Sequence, residues 1–240
     1  MGLNFRYAIY IFIGSLTLAI CVRSFILDPY SILTPSMKPT ILDGDVVLVN
    51  KLYYKFYNLK RNDVICFEKP LNIILEKKNE PAYFKRCVAF SGDTIMYKYG
   101  KVFINSHEYS LDNFDQQATT MPSNVSNLLK CTTSFVIPKK GDLVKLDSTS
   151  TFIWKDVIIA DGKAISYENN IVFVGGLPAT EYTFQHDYFF ALGDNSVESY
   201  DSRYFGLVPV DNLIGKVWLV YWSVDSQKNL RWNRLGCLIN

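Results

Sequence analysis

Histidine is nearly missing from this chain of 240 residues: His107 and His186 are the only two. Neither falls in an HExxH arrangement, and the five cysteines (Cys21, Cys66, Cys87, Cys131 and Cys237) contain no CxxC pair, so the usual zinc spacings are absent. No metal and no cofactor are expected. The odd cysteine count, with Cys21 inside an apolar segment, leaves any disulfide pairing open. There is no Gly-x-Ser-x-Gly elbow to serve a Ser-His-Asp triad, and no serine is followed by lysine at the Ser-x-x-Lys spacing. A basic excess is lacking as well. The net charge is +2, and residues 1–27 carry Arg6, Arg23 and no acid, which leaves the rest of the chain neutral. Nucleic-acid modules concentrate positive charge on one face or helix, so no nucleic-acid partner is expected. An apolar content of 49% excludes intrinsic disorder.

Long apolar runs are scarce too, and the one exception is informative. In residues 7–27 only Gly14, Ser15, Thr17, Arg23 and Ser24 are not apolar. As a helix these residues span about 31 Å, enough for a hydrocarbon core of about 30 Å, with Arg23 near one end able to reach the headgroups. A cleaved secretory signal would need small residues at its end, whereas Arg23-Ser-Phe-Ile-Leu-Asp-Pro29 is bulky, so a retained transmembrane anchor is expected. One arginine on each flank leaves its orientation open. Residues 213–222 are too short for a second span, carry Lys216, and read as a buried strand.

Beyond residue 28 the chain reads as short β-branched and aromatic runs punctuated by Gly, Asp, Asn and Pro, at 46–50, 63–67, 83–90, 101–105, 134–137, 170–174, 188–192 and 215–222. This predicts a β-dominated, mostly antiparallel domain. Polar residues 110–130 read as a surface loop or a short helical excursion. The expected organisation is an N-terminal tail (1–6), an anchor (7–27), a catalytic core (28–99 and 188–240) and an inserted, smaller β-rich subdomain (100–187).

Chemistry gathers in three blocks. In Thr34-Pro-Ser-Met-Lys-Pro-Thr40, two prolines present Ser36 on a stiff loop, although a plain linker would have a similar composition. In Tyr83-Phe-Lys-Arg-Cys-Val-Ala89, strand alternation puts Lys85 in a row with Tyr83, Cys87 and Ala89 and turns Arg86 the other way. Such a lysine either snorkels to the surface or, if buried, loses its charge readily and becomes a base. The third block, residues 193–206, combines turn formers, serines, Asp201 and Arg203, which fall on one side if the segment is extended and permit an ion pair. A solvated turn would look much the same.

Taken in order, these blocks resemble the bacterial type I signal peptidases, membrane-anchored serine proteases that remove signal peptides from exported proteins. The resemblance rests on Ser36-Met-x-Pro-Thr40, Gly44-Asp-Val-Val-Leu-Val49, Lys85-Arg-x-Val88 with Gly92-Asp93, and Gly193-Asp-Asn195 followed by Ser199-x-Asp-Ser-Arg203-x-x-Gly206. It covers residues 7–97 and 185–222. The segments 162–166, 173–178 and 230–234 resemble the longer enzymes of the Bacteroidetes type. Ala89-Phe-Ser-Gly-Asp93 and Ser196-Val-Glu198 depart from the family pattern and leave the substrate pocket open.

The resemblance implies Ser36 as nucleophile and Lys85 as general base, working through an acyl-enzyme. The oxyanion donors would be the Ser36 N–H and the Thr34 hydroxyl. Ser199 would orient the Lys85 amine, and an Asp201–Arg203 pair would hold the third block against the first. Ile32, Met37 and Phe84 would line the pockets for small substrate side chains. Partners would be exported preproteins and the lipid bilayer, with a single-pass topology in the bacterial inner membrane, the N-terminus cytoplasmic and the catalytic domain periplasmic. Two other functions fit parts of the pattern: a specialised relative maturing pilin or conjugation proteins, and a membrane-anchored β-rich binding or scaffold protein without activity.

Overall fold

The computed structural model describes residues 2–68, 82–98, 101–109 and 134–239. Polar residues 110–130, read above as a loop or helical excursion, lie outside the described residues. The chain begins with α1 (Gly2–Phe25), β1 (Leu27–Ser31), β2 (Asp45–Asn50), the one-turn α2 (Tyr53–Phe56), β3 (Val64–Phe67) and β4 (Tyr83–Phe90). The smaller strands follow: β5 (Thr94–Lys98), β6 (Lys101–Ile104), β7 (His107–Glu108), β8 (Ser134–Val136) and β9 (Leu143–Lys145). Then come α3 (Ser148–Ala160), β10 (Ile165–Glu168), β11 (Ile171–Val174), β12 (Leu177–Pro178) and β13 (Glu181–Thr183). The chain finishes with β14 (Tyr188–Leu192), the short α4 (Ser202–Phe205), β15 (Val208–Pro209) and β16 (Leu213–Ser223).

Helix α1 is apolar throughout, and its 20-residue stretch Arg6–Phe25, of mean hydropathy 1.8, is not buried against the rest of the protein. Among the described residues it is the one helix long and apolar enough to cross a membrane. It stops at Phe25, and Leu27, expected in the anchor, already pairs with Asn50 in the sheet. Pro29 cannot donate to a ladder and is tolerated because β1 is an edge strand.

A seven-stranded sheet in the order β1-β2-β16-β3-β4-β14-β15 forms the main body, and every pairing in it is antiparallel. β2 alternates buried and half-buried positions, whereas the interior strand β3 is buried at all four. Both faces of the sheet are covered. One carries Ile32, Met37, Val47, Val49, Val64 and Cys66, and the other carries Ile65, Phe67, Tyr83, Cys87 and Phe189. Residues 213–222 form the buried strand β16, as the sequence indicates.

The smaller sheets are β7-β6-β5-β8, β9-β13 and β10-β11-β12, and the first of them starts at Thr94 rather than near residue 100. They share a core with the end of the main sheet through Val88, Ala89, Tyr188 and Phe190. Helix α3 lies in this region, and the strand-like reading of the sequence did not include it. Its Thr, Ile and Val content favours a strand, but Asp147 and Ser150 form a reciprocal capping box at 2.7 Å on each side and fix its start. Its last turn is tied to β14 by Asp161, which accepts from Tyr182 Oη (2.6 Å) and Tyr188 Oη (2.6 Å).

The C-terminal segment is strapped to the main sheet by a buried carboxylate. Asp45 accepts from Arg234 Nη2 (2.6 Å), Arg234 Nε (3.1 Å) and the Leu42 N–H (2.8 Å). Asp45 is fully buried while Arg234 keeps partial solvent contact, so breaking the pair costs less than a wholly buried one. Asp45→Ala is expected to lower stability by about 2–3 kcal/mol. Urea unfolding should show this as a lower midpoint at unchanged slope.

Candidate active site

The loop after β1 closes into a single turn of 3-10 helix, Pro35–Met37, with Pro35 at its first position. The turn splits two adjacent side chains between two environments. Met37 inserts into the core with Ile32 and Ile41, while Ser36 turns toward β4. Lys85 stands on the face of β4 that carries Tyr83 and Cys87, and its ammonium position lies 5.6 Å from the Tyr83 ring centroid. Ala89 leaves this row. Between Phe190 and Ala191 the register slips by an extra residue at Val88, and both Val88 and Ala89 pack into the other core.

Lys85 Nζ reaches Ser36 Oγ at 2.8 Å and the Phe84 carbonyl at 3.0 Å. Both side chains are buried, with exposures of 5% for Ser36 and 4% for Lys85. Lys85 therefore does not snorkel, and Ser36 does not sit on a solvated linker. Thr34 Oγ1 lies 3.5 Å from Ser36 Oγ. Burial pushes the thiols of Cys66 and Cys87 far above their ordinary range, so neither is a reactive thiolate. His186 pairs with the exposed Asp211 and His107 lies exposed on β7; neither bonds Ser36.

The third block completes the site because β14 stops short. β14 follows β4 only to Leu192 opposite Arg86, so Gly193 leaves the sheet at the level of Lys85. There the Asn195 N–H donates to the Ser36 carbonyl (3.0 Å), and Gly193 packs so tightly that a Cβ would collide with the Ser36 carbonyl and with Ser199. Asp194 binds Arg86 through two bonds of 2.8 Å and accepts from Thr40 Oγ1 at 2.6 Å. Burial works against the Arg86 charge, but the bond and attraction to Asp194 outweigh it and raise its pKa above the ordinary guanidinium value. One carboxylate thus links all three blocks. The sequence reading turned Arg86 away from Lys85 without giving it this partner, and it gave Thr40, Asp194 and Asn195 no role.

Asp201 and Arg203 do pair, through two bonds of 2.9 Å. The segment is not extended, however: Asp201 caps the short α4, accepting from the Arg203 N–H. The pair braces the third block internally. Asp201 takes the Gly193 N–H (3.0 Å) and Arg203 donates to the Ser196 carbonyl (2.7 Å), while contacts to the first block come from residues 193–195. Ser199 is buried beside Gly193, and its hydroxyl has no hydrogen-bond partner among the described residues. Among the described residues the Ser199 hydroxyl makes no hydrogen bond to Lys85. Ile32 and Met37 are core residues, and Phe84 is half-buried edge-on to Tyr30, with ring centroids 5.6 Å apart. Among the described residues no group of His, Cys, Asp and Glu is placed to hold a metal ion.

The family profile described as signal peptidase, peptidase S26, matches residues 5–222. The chain belongs to this family. A signal peptidase I of Buchnera aphidicola is 29% identical over 250 residues, covering 90% of this chain and 76% of the relative. A signal peptidase IB of Staphylococcus aureus is 30% identical over 208 residues, covering 87% and 84%. A crystal structure of a signal peptidase I from Enterococcus faecalis aligns with a TM-score of 0.36 and 20% identity, over 67% of this chain and 97% of that one. Membership of peptidase S26 makes the chain a serine peptidase with a membrane helix, and sets aside the inactive scaffold reading.

Gly193→Ala tests how closely the blocks must approach. The added methyl meets backbone and a buried hydroxyl, neither of which can swing away. A displacement of about 1 Å at a reacting group costs on the order of 10²-fold in rate. A loss of that size in kcat, with far-UV circular dichroism unchanged, is the expected outcome.

Proposed function

We propose that the chain is a membrane-anchored endopeptidase that removes N-terminal signal peptides from exported preproteins, using Ser36 and Lys85 through an acyl-enzyme. The observation that carries this reading is the 2.8 Å contact between the buried Lys85 amine and Ser36 Oγ. An unperturbed lysine is almost wholly charged near neutral pH and has no lone pair to act as a base. Burial against apolar walls favours the neutral amine. Its lone pair accepts the Ser36 proton as Oγ attacks the scissile carbonyl. The resulting ammonium protonates the leaving amine, and the amine then activates the water that hydrolyses the ester. The Ser36 N–H and the Thr34 hydroxyl receive the oxyanion.

Substrate recognition follows from the walls of the site. Ile32, Met37 and Phe84 form the apolar wall for the small side chains on the acyl side of the cleaved bond. Ser199, buried and unpartnered beside Gly193, is the remaining hydroxyl available to steady the amine once Ser36 has been acylated. Anchored by helix α1, the site would work at the membrane surface where signal sequences lie. Such substrates emerge on the side opposite the cytoplasm, which sets the N-terminus inside and the catalytic domain outside. Sharing one surface restricts enzyme and substrate to a two-dimensional search.

Cleavage of a model preprotein in detergent tests the dyad. Ser36→Ala and Lys85→Ala are each expected to lower kcat by at least about 10⁴-fold. Lys85→Arg should be equally inactive, because a guanidinium fills the site but has no lone pair at working pH; activity within tenfold of wild type in this variant rules out Lys85 as the base. The wild-type rate should rise with pH as Lys85 deprotonates. An enzyme that ignores general preproteins and cuts only a pilin-like substrate would point to the specialised relative instead.

A further inference from the structure

We infer that Asn195, steadied by Glu198, is a positioning residue for the oxyanion hole, acting by fixing the peptide plane that carries the Ser36 N–H. The inference rests on the reading of Ser36 as nucleophile. Asn195 grips the nucleophile turn twice. Its backbone N–H donates to the Ser36 carbonyl (3.0 Å), and its side-chain Nδ2 donates to the Pro35 carbonyl (3.2 Å). The second bond has a consequence beyond bracing. The Pro35 carbonyl and the Ser36 N–H belong to the same planar trans peptide, so they point in opposite directions and cannot turn independently. Holding the oxygen from one side therefore aims the N–H toward the other.

Within the turn the Pro35 carbonyl accepts from the Lys38 N–H (3.0 Å), while the Ser36 N–H, lying in the first turn, has no intrahelical acceptor. Asn195 adds a second donor to the same carbonyl from outside the turn, so that the plane is held against the third block as well. Its amide orientation is unambiguous, because both groups facing Nδ2, the Pro35 carbonyl and Glu198 Oε2 at 2.9 Å, are acceptors. Glu198 takes the second amide hydrogen and prevents a flip that would bring two oxygens together. Both amide hydrogens of Asn195 are taken within the protein, so its contribution is to geometry.

Deleting an oxyanion donor costs about 10²–10³ in kcat. Misaiming it by releasing one bond is expected to cost less, about 10–100-fold in kcat for Asn195→Ala and Asn195→Asp, with KM within twofold. The midpoint of the pH–rate profile should stay in place, because the Lys85 contacts are untouched. The measurement is kcat, KM and pH profile on a model preprotein with the full chain in detergent, alongside Ser36→Ala. A folded Asn195→Ala enzyme with wild-type kcat, a loss confined to KM, or a displaced pH midpoint overturns the inference. If Asn195→Ala does not fold, Glu198→Ala decides. Its side chain is exposed, so a kcat loss of about threefold supports the inference and an unchanged kcat overturns it. Inactive Ser36→Ala beside normal Asn195 variants defeats this inference alone, whereas an active Ser36→Ala enzyme defeats the reading beneath it.

Discussion

Everything at this site depends on holding one amine out of water and 2.8 Å from one hydroxyl. The two groups come from distant parts of the chain and from unlike elements. Lys85 stands on an interior strand paired on both sides, so its Cα position is set by the sheet. Ser36 belongs to a single turn beyond an edge strand, which alone would drift. A buried lysine without a fixed partner would be costly, and a mobile serine would lose the entropic advantage of prearranged reactants. The surrounding architecture answers that asymmetry by clamping the turn to the strand.

The clamp is charged where apolar packing would have served stability better. Replacing a buried ion pair by well-packed apolar groups is often neutral or stabilising, so Arg86–Asp194 and Asp201–Arg203 are weak arguments for stability alone. Their directional bonds give them another use. Asp194 accepts three bonds from two residues on different segments, and Asp201 ties the Gly193 N–H to Arg203. A methyl-lined contact permits sliding of a few tenths of an ångström, whereas a bidentate carboxylate does not. The 193–203 loop is thereby held in register with both the nucleophile turn and the lysine strand.

Much of this was legible in the chain. Strands β2, β3, β4, β14 and β16 follow from β-branched runs, and Ser36 and Lys85 follow from two ordered motifs. What was missed depends on partners remote in sequence. Arg86 and Asp194 are 108 residues apart, and strand alternation states only that Arg86 faces away from Lys85. Pairing Asp201 with Arg203 by extended spacing reached the right partners through the wrong local geometry, since a capping aspartate and a one-turn helix bring them together. Helix α3 was hidden by β-branched residues, and only its Asp147–Ser150 box marks it. Alternation placed Ala89 beside Lys85, and the bulge at Val88 moved it away, because a single extra residue reverses every later side chain.

The excess positive charge of the chain sits on the apolar helix, and the way that helix joins the sheet bears on specificity. One residue, Ile26, separates α1 from β1, and the joint is pinned by Lys51, whose Nζ donates to the Ser24 carbonyl (2.7 Å) and approaches Asp28 (3.5 Å). Between Leu27 and Ser36 the chain can extend about 31 Å at most, at about 3.4 Å per residue. Ser36 therefore cannot lie farther than that from the end of the apolar helix. If the site cuts signal peptides as proposed, a tether of that length confines it to bonds near the membrane surface and so adds to its specificity.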